Sequence, residues 1–156
     1  MTDTADDKPG VIARPPLIFL ALLIVGGVLE TLMPAGFGVA EGWRPVGWAM
    51  IAVGLGVIAA CAVRFRRAGT NVQTSRPSTR LVVGGLYRFS RNPIYVGFMI
   101  TFLGIGVVAD SAWLLGLALV LFVILRIGVI AREEAYLEHK FGDDYRAYKA
   151  RVRRWL

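Results

Sequence analysis

Four long apolar runs divide the chain, and polar stretches separate them. The runs cover residues 16–33, 45–63, 94–109 and 111–131, and they contain almost no charged side chains. A helix needs about 17–25 residues to cross the hydrocarbon core of a bilayer, which is about 30 Å thick. Three runs reach that length, and the run at 94–109 is slightly short. The pattern predicts an all-α membrane protein with four transmembrane helices.

The composition supports the same class of protein. Hydrophobic residues make up 56% of the chain and charged residues 19%, with a mean hydropathy of +0.58. Soluble domains average about 45–50% apolar and about 25% charged residues. The first run is predicted to be a retained helix rather than a cleaved signal peptide, because acidic residues precede it and no clear cleavage site follows. The single cysteine, Cys61, lies inside the second run and is predicted to be a small buried residue.

Positive charge is concentrated in two segments of the chain. The 64–92 loop carries seven arginines and no acid, and residues 132–156 carry seven basic side chains beside five acids. Cytoplasmic loops of membrane proteins are enriched in lysine and arginine, so both segments and both termini are predicted to be cytoplasmic. The net charge of +7 then indicates topology and contact with anionic lipid headgroups. No nucleic-acid partner is expected, because base-stacking aromatics and a nucleic-acid-binding fold are missing.

These patterns together predict the organisation of the chain. Residues 1–15 form a flexible tail, residues 16–131 a four-helix transmembrane domain with its long loop at 64–92, and residues 132–156 a cytoplasmic C-terminal helical segment. The second half of the loop, LVVGGLYRFSRNP, alternates apolar residues with glycines and aromatics. It is expected to fold against the membrane or to dip into it, where irregular backbone must line a protein cavity.

A polar cluster, YRFSRNPIYVG at residues 87–97, opens the third apolar run. Asn92 and Pro93 are typical of the N-cap and the first position of a helix. Capping does not account for Arg91 and Tyr95 at the same end. A helix start offers backbone N–H groups to an anion, and a neighbouring arginine adds a planar clamp for a carboxylate. The cluster predicts a site for a small molecule that carries a carboxylate, a flat ring and a cation.

A second charged feature lies at the end of the fourth apolar run. Arg126 falls near or within the membrane, where a charged residue indicates a functional site, although its side chain could also extend to the lipid headgroups. Glu133 and Glu134 follow, and because adjacent helical residues point about 100° apart, only one can face the same pocket as Arg126. The helical spacing places the following residues on one face: Arg126, Ile130, Glu133, Leu137 and Phe141.

Together the two features resemble a known family. RNPIYVG, followed by Glu133-Glu134, is similar to the Arg-His-Pro-x-Tyr-x-Gly … Glu-Glu signature of the isoprenylcysteine carboxyl methyltransferase and phospholipid methyltransferase superfamily of integral membrane methyltransferases. The resemblance covers residue 81 to the end, including FGDDYRAYKARVRRWL, which is similar to the family's Phe-Gly-x-x-Tyr-x-x-Tyr pattern. Gly54-Leu55-Gly56 resembles the Gly-x-Gly of the phosphatidylethanolamine branch, although close helix packing also favours small residues.

The resemblance implies a cofactor, S-adenosylmethionine, bound from the cytosolic side between membrane helices and released as S-adenosylhomocysteine. The C-terminal segment would fold over the adenine, and the alternative for its tyrosines Tyr145 and Tyr148 is anchoring at the membrane interface. No metal site is expected. The implied catalytic residues are Arg126, Glu133 and Glu134. The implied cofactor-binding residues are Gly54, Gly56, Gly85, Tyr87, Arg91, Asn92, Pro93, Tyr95, Gly97, Glu133, Glu134, Leu137 and Tyr145.

The expected reaction is in-line transfer of a methyl group to a lipophilic or amphiphilic acceptor that enters from the lipid. The acceptor would be a carboxylate of the isoprenylcysteine type, or a phospholipid amine whose proton Glu133 or Glu134 could take. Asn92 stands where the carboxyl methyltransferase branch has histidine, and asparagine does not titrate near neutral pH. Two alternatives remain open: a methyltransferase that acts on a small thiol or amine, and a non-enzymatic membrane subunit that binds anionic lipid.

Overall fold

The computed structural model describes residues 10–38, 41–69 and 80–156. Most of the predicted N-terminal tail and residues 70–79 of the long loop lie outside these residues. All regular elements within the described ranges are helical, as the sequence predicts. The helices are α1 (Pro15–Leu32), α2 (Arg44–Arg67), α3 (Pro93–Val108), α4 (Ala112–Val123) and α5 (Ala131–Arg151), and short 3₁₀ helices cover Glu41–Trp43 and Gly85–Arg88.

Three helical stretches are long and apolar enough to cross a membrane. They are α1, α2 together with the 3₁₀ helix before it, and the helix that runs from α4 through α5. The fourth apolar helix, α3, has only 16 residues, and at 1.5 Å per residue it is about 24 Å long. The integral membrane class is therefore supported, whereas the number of four spans stays a prediction.

The fourth and fifth helices are continuous through residue 131, where the predicted transmembrane domain meets the predicted C-terminal segment. A π-helical stretch, Ile124–Ile130, joins α4 to α5, and its ends keep right-handed helical backbone angles. Inside α5 the backbone is non-helical at Gly142, where φ is 51°. Glycine adopts positive φ without a Cβ clash, so Gly142 lets the last turns bend back towards α3.

A seam of glycines brings α2 and α3 into backbone contact. A Cβ on Gly54 would lie 2.7 Å from the Gly97 carbonyl oxygen, and one on Gly104 would lie 2.8 Å from the Gly47 carbonyl oxygen. The pairs 47–104 and 54–97 show that the two helices run antiparallel. Small residues are what permit helix backbones to approach closely in membranes.

The glycine seam corrects part of the predicted cofactor site. Gly54 and Gly97 face each other across the α2–α3 interface, and they contribute there to packing. Gly56 points away, because a Cβ on it would meet nothing within 4 Å. Gly54 therefore packs against Gly97, the last residue of the polar cluster, whereas Gly56 is not brought to the cluster.

The other flank of the bundle is formed by α1, which packs mainly on α4. A Cβ on Gly26 would overlap the Leu114 side chain, and Phe19 packs edge-on against Phe102 with ring centroids 5.3 Å apart. The core between α1, α3 and α4 is filled by Phe102, Leu121 and Leu125. Apolar side chains on the outer faces of α1 and α2 are exposed, as expected for helices that face hydrocarbon.

Candidate active site at the start of the third helix

The start of α3 and the start of α5 meet at one end of the bundle. The Tyr95 hydroxyl donates a 2.8 Å hydrogen bond to Glu133 Oε1. The sequence predicts this convergence from the polar cluster and the acidic pair, which are 38 residues apart in the chain. The contact places the two motifs in one site.

Asn92 and Pro93 begin α3 at the predicted positions, but the expected side-chain cap is not formed. Pro93 is the first helical residue, and the Asn92 side chain makes no cap hydrogen bond. Asn92 Nδ2 instead donates to the main-chain carbonyl of Arg154, at 3.0 Å. The asparagine therefore ties the C-terminal tail, defined here as residues 152–155, to the start of α3.

The C-terminal tail lies along residues 90–92. The Arg91 main-chain N–H donates to the Arg153 carbonyl at 2.9 Å, and the Trp155 ring packs on Phe122 with centroids 5.0 Å apart. No motif in the sequence indicates this pairing, because its partners are about 60 residues apart and make mostly main-chain contacts. The sequence predicts that residues 132–156 cover the site, but it does not predict this contact of the tail with residues 90–92.

Glu134 is a buried carboxylate held between two arginines. Its Oε1 lies 3.2 Å from Arg91 Nη2, and its Oε2 accepts hydrogen bonds from Arg154 Nη2 at 2.6 Å and Nε at 3.1 Å. The Glu134 side chain is 6% exposed and that of Arg91 9%. A buried charge is tolerated only when it is paired. Two guanidinium groups on one carboxylate leave this triad with a net positive charge, which favours an anionic ligand.

Two atoms of the triad have no hydrogen-bond partner among the described residues. Arg91 Nε and Glu134 Oε1 are both buried and unsatisfied. The 3.2 Å between Arg91 Nη2 and Glu134 Oε1 qualifies as an ion pair by distance but not as a hydrogen bond by geometry. Unsatisfied buried polar atoms are costly and rare. Glu134 Oε1 thus keeps its ion pair with Arg91 but accepts no hydrogen bond, and Arg91 Nε is an unsatisfied donor in the same pair.

Glu133 points in a different direction from Glu134, as expected for adjacent helical residues. One of its oxygens accepts from Tyr95, and the other makes no hydrogen bond with a described residue. Tyr87 is the next tyrosine at this site. Its burial raises its pKa far above the usual range, and the nearby Cys61 and Glu133 raise it further. Tyr87 therefore stays neutral at every pH of interest.

Two tyrosines of α5 are buried inside the protein. Tyr145 and Tyr148 are almost fully covered, and the Tyr148 hydroxyl donates to the Tyr87 carbonyl at 2.7 Å. This burial excludes the alternative that the two tyrosines anchor the segment in the lipid interface. They instead join α5 to the 3₁₀ helix at residues 85–88.

Two neighbouring cavities lie on either side of that 3₁₀ helix. The larger, of about 510 Å³, lies between the end of α2, residues 80–84 and the end of α5. The smaller, of about 300 Å³, lies between the last turns of α2 and residues 85–87. Predicted site residues Gly85 and Tyr87 line the smaller cavity, whereas Tyr148 lines the larger one. Residues 81–84 of the larger cavity's lining belong to the loop half that was expected to line a cavity, although none of them was among the predicted site residues.

Arg126 does not share a face with the acidic pair. It is exposed, whereas Leu125, Val129 and Ile130 are buried. The physical reason is the π-helical stretch, whose hydrogen bonds span five residues and so shift the positions of the side chains around the helix. The structure therefore does not bring Arg126 to the buried side of the helix with Ile130, and its side chain is exposed. Of the remaining predicted residues, Leu137 is half-buried in α5.

The apolar helices and the charged cluster buried at one end of them are typical of an integral membrane protein. Residues 43–144 match the sequence model of the phospholipid methyltransferase family. The chain therefore belongs to that family, and the recognition of a membrane methyltransferase from its sequence motifs is confirmed.

Individual relatives cover smaller parts of the chain. A 45-residue stretch is 60% identical to an uncharacterized protein of Haemophilus influenzae, over 29% of this chain and 68% of that protein. Methanethiol S-methyltransferase 1 of Bradyrhizobium diazoefficiens is 39% identical over 67 residues, 43% of this chain and 22% of that enzyme. Protein-S-isoprenylcysteine O-methyltransferase of Schizosaccharomyces pombe is 41% identical over 75 residues, 46% of this chain and 30% of that enzyme. The matches thus span less than a third of either named enzyme.

Proposed function

We propose that the protein transfers a methyl group from S-adenosylmethionine to a lipophilic or amphiphilic acceptor, at the end of the bundle where α3 begins. The observation that carries the proposal is the pair of unsatisfied buried atoms, Arg91 Nε and Glu134 Oε1. An aminocarboxylate offers a carboxylate to such a donor and an ammonium group to such an acceptor. The cofactor implied by the family carries that group.

Arg91 is the residue proposed to hold the cofactor's carboxylate. Its guanidinium is buried and positioned by Glu134, and a guanidinium held in place loses less freedom on binding than a mobile one. The net positive charge of the Arg91–Glu134–Arg154 triad adds to the attraction. Glu134 has one oxygen hydrogen-bonded to Arg154. Its other oxygen is ion-paired with Arg91 but accepts no hydrogen bond, and it is proposed to accept one from an ammonium group.

The larger cavity is proposed to take the nucleoside. Its volume of about 510 Å³ lies in the range of roughly 300–1,000 Å³ that is usual for small-molecule sites. It is lined on one side by Tyr148 and on another by the apolar residues 81–83. Tyr148 also hydrogen bonds to the Tyr87 main chain, so the cavity borders the polar cluster at the α3 start.

The bound cofactor supplies a methyl group already activated by a sulfonium, and the attacking atom's electron pair replaces the carbon–sulfur bond. The chain's own task is then alignment and exclusion of water. Glu133 is proposed as the acid–base residue, since one of its oxygens is fixed by Tyr95 and the other is unengaged. It would accept the proton from an amine acceptor, whereas a carboxylate acceptor would need none.

The site is proposed to face the cytoplasm, and the acceptor to enter from the lipid. The arginines of the described loop and of α5 support this orientation under the positive-inside rule. A lipid acceptor would keep its tail beside the exposed apolar faces of the helices. A methanethiol S-methyltransferase among the relatives favours a small thiol as the second candidate acceptor.

Isothermal titration of the detergent-purified protein with S-adenosylhomocysteine tests the binding site. Arg91→Lys keeps the charge and removes the Nε donor, and we expect the affinity to fall about tenfold or more, as for loss of a charge-assisted hydrogen bond. Arg153→Lys is the matched control, because Arg153 is exposed, and its affinity should stay within about twofold. Absence of binding to the folded wild-type protein would refute the proposed cofactor site.

The acceptor is tested separately by incubating membranes with radiolabelled S-adenosylmethionine. Label in the extracted lipid fraction supports the lipophilic acceptor. Label that appears only with an added small thiol or amine supports the second candidate. No label in either fraction, with cofactor binding intact, would favour a binding subunit without activity.

A further inference from the structure

The smaller cavity combines basic and apolar walls at the boundary of the membrane-spanning part of α2. It measures about 300 Å³, and its lining includes Arg64 and Arg67 from the last turns of α2. The remaining helix residues in the lining are Ala60, Cys61 and Val63. Arginines three apart in a helix lie on the same face. The two guanidinium groups therefore adjoin a cavity whose other lining residues are mainly apolar.

Neither arginine is neutralised by an acid in the described part of the chain. Arg64 and Arg67 take part in no ion pair there, and no aspartate or glutamate lines the cavity. Arg64 packs beside Gly84, so its guanidinium lies between the two cavities. Both arginines are exposed, which leaves their donors accessible from outside.

The rim of the cavity adjoins the lipid-facing surface. Val63 is 44% exposed, and Ala60 is also exposed, on the helix that has the length and hydropathy of a membrane span. A ligand here meets hydrocarbon on one side and two cations on the other. That combination fits an amphiphile with an anionic head better than it fits a small anion in water.

We propose that the smaller cavity binds the phosphate group of an anionic membrane phospholipid, with its acyl chains along α2. The site is distinct from the proposed cofactor cavity, and it does not depend on the methyl transfer reaction. Its role is to hold the 3₁₀ helix at residues 85–88 against α2, because Gly85, Leu86 and Tyr87 form the opposite wall. Phosphate recognition by paired arginines is a common use of their planar donors.

Native mass spectrometry of the detergent-purified protein, titrated with dioleoylphosphatidylglycerol or dioleoylphosphatidylcholine, tests the site. We expect phosphatidylglycerol to bind about tenfold more tightly than phosphatidylcholine. Arg67→Gln should lower the phosphatidylglycerol affinity about tenfold. Arg66→Gln is the matched control: it removes the same charge from the neighbouring position, but Arg66 lines neither cavity, and the affinity should change less than about twofold.

One more variant and two further measurements distinguish a specific phosphate site from a folding defect, diffuse attraction or cofactor binding. Arg67→Lys retains the charge and should lose less affinity than Arg67→Gln, which separates lost binding from lost folding. Equal losses in Arg66→Gln and Arg67→Gln would overturn the proposal, because they would indicate diffuse attraction. Displacement of the lipid by millimolar inorganic phosphate would overturn it too, since the site would then take a free anion. S-adenosylhomocysteine affinity is measured in parallel, and its loss in Arg67→Gln alone would assign the cavity to the cofactor.

Discussion

The glycine seam predicts opposite effects for two alanine substitutions that are two residues apart. Gly54→Ala would place a methyl group 2.7 Å from the Gly97 carbonyl oxygen and 2.8 Å from the Thr101 nitrogen, and would overlap Thr101 Oγ1. Thr101 cannot easily rotate away, because its hydroxyl donates to the Gly97 carbonyl at 2.8 Å. Gly56→Ala adds the same methyl group where nothing lies within 4 Å.

The magnitude follows from the two contacts with backbone. Carbon–oxygen and carbon–nitrogen contacts are favourable near about 3.5 Å, so α2 and α3 would have to separate by about 0.7 Å. Overpacking of this kind costs about 1–3 kcal/mol, and the higher helix propensity of alanine offsets up to about 1 kcal/mol. We expect Gly54→Ala to destabilise the protein by about 1–2 kcal/mol. Gly56→Ala should be neutral or stabilising by up to about 1 kcal/mol.

Thermal unfolding in detergent, followed by tryptophan fluorescence, measures the difference. For a chain of this size 1 kcal/mol corresponds to roughly 2–4 °C, so Gly54→Ala should unfold about 2–8 °C below the wild type. Equal midpoints for the two variants would refute the packing argument. If Gly54 bound the cofactor instead, Gly54→Ala would weaken S-adenosylhomocysteine binding and leave the midpoint unchanged.

Two further substitutions test the polar site. Tyr148→Phe removes the donor of the 2.7 Å hydrogen bond to the Tyr87 carbonyl and should destabilise the protein by about 1–3 kcal/mol, seen as a lower unfolding midpoint; an unchanged midpoint would contradict the role given to that bond. Tyr95→Phe releases Glu133 and should slow methyl transfer to an amine acceptor by about tenfold or more, measured with radiolabelled cofactor, while S-adenosylhomocysteine affinity changes little. A full rate would count against Glu133 as the proton acceptor.

The sequence predicts the helices and the meeting of the two motifs, because both depend on local signals. Apolar runs of helical length predict α1 to α4, and this prediction does not depend on how the helices pack. Asn92-Pro93 marks a helix start on local grounds, and the acids Glu133 and Glu134 follow an apolar run closely enough to lie at the same membrane boundary. The contact of Tyr95 with Glu133 follows once both helices start or end at that boundary.

The parts of the site that the sequence does not predict depend on long-range packing or on a change of helix type. Arg126 lies away from the site because of a π-helical stretch, which no side-chain pattern in the sequence predicts. Gly54 belongs to a seam whose partner, Gly97, is 43 residues away. The tail contact of Arg154 with Glu134 involves a side chain that looks like any other basic residue in a basic segment.

The departure of Asn92 from the family's histidine has a physical explanation in the tail contact. The Asn92 amide donates to the Arg154 carbonyl. The side chain of Arg154 in turn forms an ion pair with the buried Glu134. A histidine could donate to that carbonyl only through a protonated ring nitrogen, and its second nitrogen would gain or lose a proton near neutral pH. An amide donates at every pH. Asparagine therefore keeps the tail and the Glu134 ion pairs in one arrangement while giving up any acid–base role, which leaves that role to Glu133, as proposed.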